Sequence, residues 1–208
     1  FKDSHGHVWV ASRVGAFRFK GGKAERLHSN ESLSDDFVRS IYQDKDGDIW
    51  IGTFRGLNYL YKTPIGIVPP LGQNLSGPIE TKAIVKDNEG VVWVGTNRNG
   101  LYQYKEEGLE KVNANFSLPN TIFSLAVAEN NDLFIGGDSG LFRVTYQNGI
   151  LKLKRKIASS EVRLIARTTS GDFLINVVDD LLNSTIFKLE NGELTRLKEL
   201  DNKWLSWA

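Results

Sequence analysis

Short segments in which apolar and polar residues alternate run along the whole chain, and clusters of Gly, Asn and Asp separate them. Val, Ile, Phe, Tyr and Trp supply most of the apolar positions. This composition and this period of two are typical of half-buried β-strands. A long amphipathic helix would instead repeat its apolar residues three and four positions apart, and no segment shows that pattern. The alternation predicts an all-β protein.

The strands recur with a period of about 41 residues. In each copy, a turn of the form Asp-x-x-Gly or a polar equivalent of it precedes a strand with a large apolar residue at its second position. That residue recurs at intervals of 41, 43, 41 and 40 positions, as Trp9, Trp50, Trp93, Phe134 and Leu174. A fixed period of this length is typical of architectures built by repetition. In the turn, Asp is expected to cap its own backbone, and Gly to supply a positive φ angle.

Each copy contains four predicted strands. An apolar strand such as Val38–Tyr42 precedes the Asp, and the Trp-bearing strand follows it. A Gly–apolar pair such as Gly56-Leu57 opens the third strand, and a more polar fourth strand such as Ala24–Leu27 closes the copy. Four short antiparallel strands repeated in this way describe one blade of a β-propeller. We therefore expect about five four-stranded blades, with residues 1–208 forming one propeller domain.

The column of large residues is predicted to pack between blades. Stacking on sugar rings is the alternative, because aromatic faces bind pyranoses. However, these side chains occupy the same mid-strand position in every copy, where a large side chain fills the wedge between neighbouring sheets. We therefore assign to the blade core Trp9, Trp50, Trp93 and Phe134.

Two stretches of the chain, residues 41–57 and 84–101, carry a specific pattern in which Asp-x-x-Gly, an apolar-Trp-apolar-Gly-Thr strand and a Gly-Leu pair follow one another. This pattern resembles the two-component regulator propeller repeat. The first copy departs from it, with Ala11-Ser12 in place of Gly-Thr. The fourth and fifth copies lose the Trp and the Asp, so the resemblance there depends on spacing.

The resemblance implies a function outside the cytoplasm. Such repeats form the periplasmic sensor region of hybrid two-component histidine kinases of the Bacteroidetes type. It implies seven-bladed rings, an oligosaccharide ligand, and neighbouring propeller and immunoglobulin-like domains in the same chain, with a homodimeric full-length receptor anchored in the inner membrane. We therefore expect residues 1–208 to be an arc of a larger ring rather than a closed five-bladed one, and to contain no catalytic site. Because the chain begins at Phe1 and contains no Met, it is also expected to be a piece of a longer protein.

The loops between the second and third strands are the predicted ligand site, because in propellers such loops line the face around the central channel. Arginines recur there, and Arg is suited to bidentate contacts with carboxylates and to stacking on flat rings. An anionic ligand such as an acidic sugar would fit such a cluster. The alternative is that the arginines pair with acidic groups of adjacent blades. The candidate ligand-binding residues are Arg13, Phe54, Arg55, Asn97, Arg98 and Asp138.

Two further segments depart from the repeat. A proline-containing connector, residues 63–81, joins the second copy to the third. It is predicted to be either an elongated outer strand or a loop that reaches over the ligand face. Near the other end, Trp204 and Trp207 lie in an expected inner strand, where packing is the first interpretation and a channel-facing position the second.

Composition excludes several classes of function. A net charge of +1 argues against binding to nucleic acid or to an anionic membrane. With no cysteine, disulfides and thiolate metal sites are excluded. The acidic stretch after Asp44 fails as a calcium loop because Arg55 occupies the place of the bidentate Glu. His5-Gly6-His7 is interpreted as a polar turn, so no metal or cofactor is predicted.

Two other classes of function stay open from the sequence. A polysaccharide lyase or glycoside hydrolase would need a pair of acid–base groups, and no such pair is marked out among the carboxylates and the three histidines. A protein-interaction scaffold would need neither catalysis nor a small ligand.

Overall fold

The structure is a computed structural model that describes residues 1–30, 33–60, 65–68, 79–105, 108–190 and 192–197. Within these ranges every regular element is a β-strand, and the strands form five separate sheets. The chain divides into two compact units, Phe1–Lys111 and Val112–Ala208. The all-β architecture predicted from the alternating pattern is confirmed.

The first unit contains three sheets of sequential antiparallel strands. Sheet 1 consists of β1 (Val8–Ser12), β2 (Gly15–Lys20) and β3 (Lys23–Leu27). Sheet 2 consists of β4 (Val38–Gln43), β5 (Ile49–Thr53), β6 (Gly56–Leu60) and β7 (Ile65–Val68). Sheet 3 consists of β8 (Thr81–Lys86), β9 (Val92–Thr96), β10 (Leu101–Lys105) and β11 (Gly108–Lys111).

The second unit contains the other two sheets. Sheet 4 consists of β12 (Asn113–Ala114), β13 (Ile122–Val127), β14 (Leu133–Gly137), β15 (Gly140–Gln147) and β16 (Ile150–Ala158). Sheet 5 consists of β17 (Glu161–Arg167), β18 (Phe173–Val178), β19 (Ser184–Glu190) and β20 (Glu193–Arg196).

Among the residues that the structure describes, two sheets differ from the predicted four strands. Sheet 1 has three, and a single bridge between Lys2 and Val8 lies where the other sheets have their inner strand. Sheet 4 has five, because the short strand β12 adds to the outer edge of β16 in parallel orientation. A two-residue strand of this kind carries too little periodicity to be predicted from sequence.

The predicted connector 63–81 contains a strand. Residues 65–68 form β7, which pairs with β6 as the outer strand of sheet 2. Residues 69–78 lie outside the described residues, as do Trp204 and Trp207. At the end of the connector Ile79 and Glu80 are buried next to the start of β8.

The Asp-x-x-Gly segments are tight turns, built as the sequence predicts. In the second copy, Oδ1 of Asp44 accepts the backbone N–H groups of Asp46 and Asp48, both at 3.0 Å. Gly47 takes a φ of 90° and donates its N–H to the Asp44 carbonyl at 3.1 Å. The turns at Asp3 and Asp87 are built in the same way.

Large residues of the repeat column fill the space between neighbouring sheets. In the first unit, Trp9 clusters with Ile49 and Ile51 of sheet 2. Trp50 packs on sheet 3, where its ring centroid lies 5.3 Å from that of Tyr104. In the second unit, Phe134 of sheet 4 meets Phe173 of sheet 5 with ring centroids 5.0 Å apart. Each such contact buries the apolar face of one sheet against the next.

All four inner strands are bulged at the same register position. The pairing of the inner strand with its neighbour shifts by one residue after the first pair in β4, β8 and β13 and after the second pair in β17, which leaves one residue unpaired in each. Such bulges bend a strand and re-aim the side chain they carry. The residues at the four bulges are Arg39, Lys82, Phe123 and Arg163.

Among the described residues, no helix has the length and apolar character needed to cross a membrane.

Candidate functional site

The three tryptophans of the repeat column are each hydrogen-bonded to the turn that precedes them. The second carboxylate oxygen of each turn Asp accepts the indole N–H of the Trp six residues later. The distances between Oδ2 and Nε1 are 2.8 Å for Asp3–Trp9, 3.0 Å for Asp44–Trp50 and 2.8 Å for Asp87–Trp93. All three rings are buried. Their faces and their polar tips are thus occupied by the protein itself and are not offered to a sugar.

This pairing explains why Trp and Asp disappear together in the later copies. Where Phe134 replaces Trp, the residue six positions earlier is Ala128, and where Leu174 replaces it, that residue is Thr168. A buried carboxylate that lost its indole donor would be left short of a hydrogen bond, which costs about 1–3 kcal/mol. Removal of both groups avoids this cost.

Stability at acidic pH should report on the first of these pairs. Burial by itself would raise the pKa of Asp3, but hydrogen bonds from Trp9, His7 and His5 outweigh it and lower the pKa from 3.8 to about 2. A lowered folded-state pKa contributes stability above pH 3.8, and this contribution is lost as the pH falls toward 2. We expect Asp3→Asn to be less stable than the wild type at pH 5, and this difference to shrink by about 2 kcal/mol by pH 2. Urea unfolding across this pH range measures it, and a difference independent of pH would contradict it.

Phe37, which immediately precedes β4, contacts two of the predicted ligand residues, Arg13 and Phe54. The guanidinium of Arg13 lies 5.4 Å from its ring centroid and that of Arg39 lies 4.1 Å away. The ring of Phe54 stacks beside it, with centroids 6.3 Å apart and planes 13° apart. The backbone N–H of Phe54 donates to the Phe37 carbonyl at 2.9 Å. We call these four residues the Phe37 cluster.

The Phe37 cluster presents an apolar ring edge beside cationic groups. Phe54 keeps 37% of its surface exposed, and Arg13 is also exposed. Cations over an aromatic face gain roughly 0.5–1 kcal/mol each at exposed positions, so the arrangement is held in place before any ligand arrives. Flat or ring-shaped ligands with acidic or hydroxyl groups suit such a surface.

Arg55 lies next to this cluster and has an acidic partner. Its Nε is 3.3 Å from Oδ2 of Asp35, while 67% of its side chain stays exposed. The partner belongs to the segment before β4 in the same repeat, rather than to an adjacent blade as the alternative interpretation held. A pair so exposed is worth at most about 1 kcal/mol, so a ligand can compete for the guanidinium.

Asn97 is hydrogen-bonded to Glu80, a buried glutamate that immediately precedes β8. Its side-chain amide donates to Oε2 of Glu80 at 2.7 Å, and its backbone N–H donates to the Glu80 carbonyl at 2.9 Å. Oε1 of Glu80 lies within ion-pair distance of Arg39 and, at 3.6 Å, of Lys82. No described residue donates an aligned hydrogen bond to this oxygen. Glu80 therefore links the bulges of β4 and β8 by charge.

The other two predicted residues occupy different settings. Arg98 follows Asn97 in the loop before β10 and has a φ of 66°, in the left-handed region. Asp138 belongs to the second unit, where its Oδ2 accepts the N–H of Thr121 and its own N–H donates to the Thr121 carbonyl, both at 3.0 Å. It also lines an open cavity of about 470 Å³. In the first unit the structure thus brings Arg13, Phe54 and Arg55 together.

Residues that precede or bulge from the inner strands were missed by the sequence interpretation. Phe37, Arg39 and Glu80 organise the loop residues, yet none of them lies in the predicted loops. Their position in the repeat could have identified them. Phe37 and Glu80 occupy equivalent positions in successive repeats, and so do Arg39 and Lys82. Recognising this equivalence requires knowing that each inner strand carries a bulge.

The histidines of the first turn serve the fold. Nδ1 of His7 lies 2.9 Å from Oδ2 of Asp3, and the His5 and His7 rings stack with centroids 6.0 Å apart. Within the described ranges no group of three or more His, Cys, Asp or Glu residues could hold a metal ion.

The family model described as "Two component regulator propeller" matches residues 32–55 and 75–98. Similarity to this family therefore extends over the second and third repeats of the chain. The matched segments run from the residues before β4 and β8 to the loops after β5 and β9, so these repeats contain Phe37, Glu80 and the loops with Arg55 and Arg98. A search of curated protein sequences finds no match to the chain.

Solved structures with similar folds include extracellular domains of two-component systems and a lyase. The extracellular domain of BT3049 from B. thetaiotaomicron, assigned as a hybrid two-component system, is 20% identical with a TM-score of 0.70, over 95% of this chain and 28% of that one. The corresponding domain of BT4673 is 21% identical with a TM-score of 0.68, over 82% and 25%. Virginiamycin B lyase from Staphylococcus aureus is 15% identical with a TM-score of 0.71, over 95% and 68%.

These similarities confirm the β-propeller fold. The chain spans about a quarter of the length of the two extracellular domains. That the repeats belong to a larger, seven-bladed ring stays a prediction.

Proposed function

We propose that these repeats are the extracytoplasmic sensor part of a hybrid two-component system and bind a small ligand such as an oligosaccharide. The observation that carries this proposal is the match to the two-component regulator propeller family. Structural similarity to extracellular domains assigned as hybrid two-component systems supports it.

The Phe37 cluster and Arg55 are the proposed ligand contacts in the first unit. Phe54 offers an apolar surface, and Arg13 and Arg55 offer guanidinium donors that are largely exposed. These groups belong to loops on a rigid β scaffold, which is where binding residues of repeat folds are commonly found. An oligosaccharide with a carboxylate would use both kinds of contact.

The signal is proposed to pass to a histidine kinase and a phosphorelay outside this segment. The partners in this proposal are neighbouring propeller and immunoglobulin-like domains of the same chain and a second receptor copy, in the periplasm. Binding can shift such an assembly only if the ligand prefers one arrangement over another. The repeats themselves are proposed to bind and not to catalyse.

Ligand binding at the Phe37 cluster predicts a selective thermal stabilisation. We expect one or more of cellohexaose, maltohexaose, mannotetraose and trigalacturonate to raise the Tm of the chain. A ligand at a hundredfold excess over its Kd adds about 2.7 kcal/mol to the free energy of unfolding. Phe54→Ala and Arg55→Ala should each weaken binding about tenfold, because one stacking or charged hydrogen-bond contact is worth roughly 1–2 kcal/mol.

Lys23→Ala is the matched control, because Lys23 is an exposed cation at the opposite end of sheet 1 and should leave the affinity unchanged. Chromatography of the sugars after incubation tests for turnover. Conversion of a sugar would favour a propeller enzyme. Binding that is equally strong in Phe54→Ala, Arg55→Ala and the control would exclude the proposed face.

A further inference from the structure

A cavity in the second unit has the features of a separate small-ligand site. It has a volume of about 470 Å³ and lies between residues 116–120 and strands β15 and β16. Ligand pockets for small molecules usually measure 300–1,000 Å³. Of the predicted loop residues, Asp138 alone lines it.

The wall formed by residues 116–120 is held at both ends. On one side Asn115 donates its N–H to the Leu151 carbonyl at 3.1 Å, and its Oδ1 accepts the Leu153 N–H at 3.2 Å. On the other side two hydrogen bonds of 3.0 Å join Thr121 to Asp138. The wall is therefore fixed on the sheet without a ligand, which lowers the entropy cost of binding.

A local departure from the repeat creates room for this wall. At the end of the second strand, the first three copies have a hydroxyl residue that donates to the carbonyl of the glycine at or just before the start of the third strand: Ser12, Thr53 and Thr96. The fourth copy has Gly137 instead. A Cβ atom there would come within 2.5 Å of Pro119 Cβ and of the Thr121 carbonyl oxygen. The fourth repeat thus lacks the hydroxyl bond, and the backbone of residues 119–121 crosses directly over the strand end.

The lining combines an apolar wall with polar groups. Phe116 is half-buried and stacks on Phe142, with centroids 5.7 Å apart, and Leu153 is 40% exposed. Oδ2 of Asp138 accepts a hydrogen bond from the Thr121 N–H, and the ammonium of Lys156 lies 5.3 Å from the Phe142 ring centroid. One carboxylate and one ammonium leave the lining without net charge, so a strongly charged ligand gains little there.

From this combination we propose that the cavity binds one neutral pyranose ring. The C–H face of the ring packs against Phe116 and Leu153, as apolar ring faces do on aromatic side chains. Its hydroxyl groups bond to Asp138, Asn120 and Lys156, which supply both acceptors and donors. The site goes beyond the proposed sensor face, because all its residues belong to the second unit.

Binding of simple glycosides to the whole chain tests this assignment. The probes are methyl β-glucoside, methyl β-galactoside, methyl α-mannoside and methyl N-acetyl-β-glucosaminide, titrated while amide shifts are followed by NMR. At least one should bind saturably and shift the backbone amides of residues 116–118, 120 and 138–139. Phe116→Ala and Lys156→Ala should each raise the Kd about tenfold. Lys152→Ala, an exposed cation on the same strand outside the cavity, should keep the Kd within about twofold.

Two results would overturn the proposal: no saturable binding of any of the four glycosides, or a Kd that Lys156→Ala and Lys152→Ala change equally. Lys156 is exposed, so its variant should fold even if Phe116→Ala does not. Phe54→Ala separates this site from the sensor face, because it should leave glycoside binding here unchanged whether or not oligosaccharides bind the Phe37 cluster.

Discussion

Replacing Asp44 with alanine is expected to destabilise the folded chain by about 4 kcal/mol. The side chain of Asp44 is completely buried. Its carboxylate accepts two backbone N–H groups of the turn, the indole N–H of Trp50 at 3.0 Å and the ammonium of Lys86 at 2.9 Å. Hydrogen bonds from Trp50 and Lys86 lower its pKa although burial would raise it, so the group is ionised at neutral pH. Its removal leaves a buried donor without an acceptor and opens the turn.

A double-mutant cycle separates these contributions. Trp50→Phe alone removes the donor and some packing, and it should cost about 2 kcal/mol. The double variant Asp44→Ala with Trp50→Phe recreates the Ala128 and Phe134 combination of the fourth repeat. We expect its cost to be about 1–2 kcal/mol less than the sum of the single costs, because neither group is then left unpaired. Urea unfolding of the four proteins measures the coupling, and strict additivity would contradict the pairing.

Gly140→Ala is expected to cost about 3 kcal/mol, by a different mechanism. Gly140 opens β15 with a φ of 128°, and a Cβ atom there would lie 2.0 Å from the carbonyl oxygen of Ala158 on the neighbouring strand β16. Because that obstacle is backbone, no side-chain rotation relieves it. The hairpin would have to separate at the end of the sheet, next to the loop that carries Asp138.

Gly149→Ala provides the matched control. Gly149 lies in the turn between β15 and β16 with a φ of 80°, and nothing lies within 4 Å of a Cβ built there. Only the backbone conformation opposes this substitution, at about 1 kcal/mol. Thermal unfolding of the two variants compares the costs. Equal destabilisation would show that positive φ, and not the close approach to Ala158, explains glycine at position 140.

The Gly–apolar pair shows which structural features a sequence pattern can predict and which it cannot. Its recurrence at Gly15, Gly56, Gly100 and Gly140 correctly predicted the start of a strand in the first four copies, where Gly100 immediately precedes β10 and the other three open their strands. The cause of the glycine lies across the hairpin, because at Gly15 and Gly140 a carbonyl of the next strand occupies the space of a side chain. That carbonyl belongs to a residue 12 positions later at Gly15 and 18 positions later at Gly140. The local sequence around each glycine therefore does not reveal it.

Prediction of the candidate ligand-binding residues from sequence has the same limit. The loops with Arg13, Phe54 and Arg55 could be located from sequence because their position in the repeat is constant. Phe37 could not be recognised as their common contact, because it precedes a strand and belongs to a different segment from each of them. The cavity beside Asp138 could not be anticipated either, since it depends on one glycine that replaces a hydroxyl residue of the repeat.

Periodicity in this sequence by itself determined the strands, the Asp-x-x-Gly turns, the blade repeat and the tryptophan column. These features depend on local backbone preferences and on a spacing that the chain repeats, and such information is complete within each copy. Only the tertiary structure decided which side chains meet: the indole on the turn carboxylate, two arginines on Phe37, and the wall of residues 116–120 on sheet 4. Some of these contacts join residues far apart in the chain, and the geometry of all of them is set by how strands pair and sheets pack, which no local pattern contains.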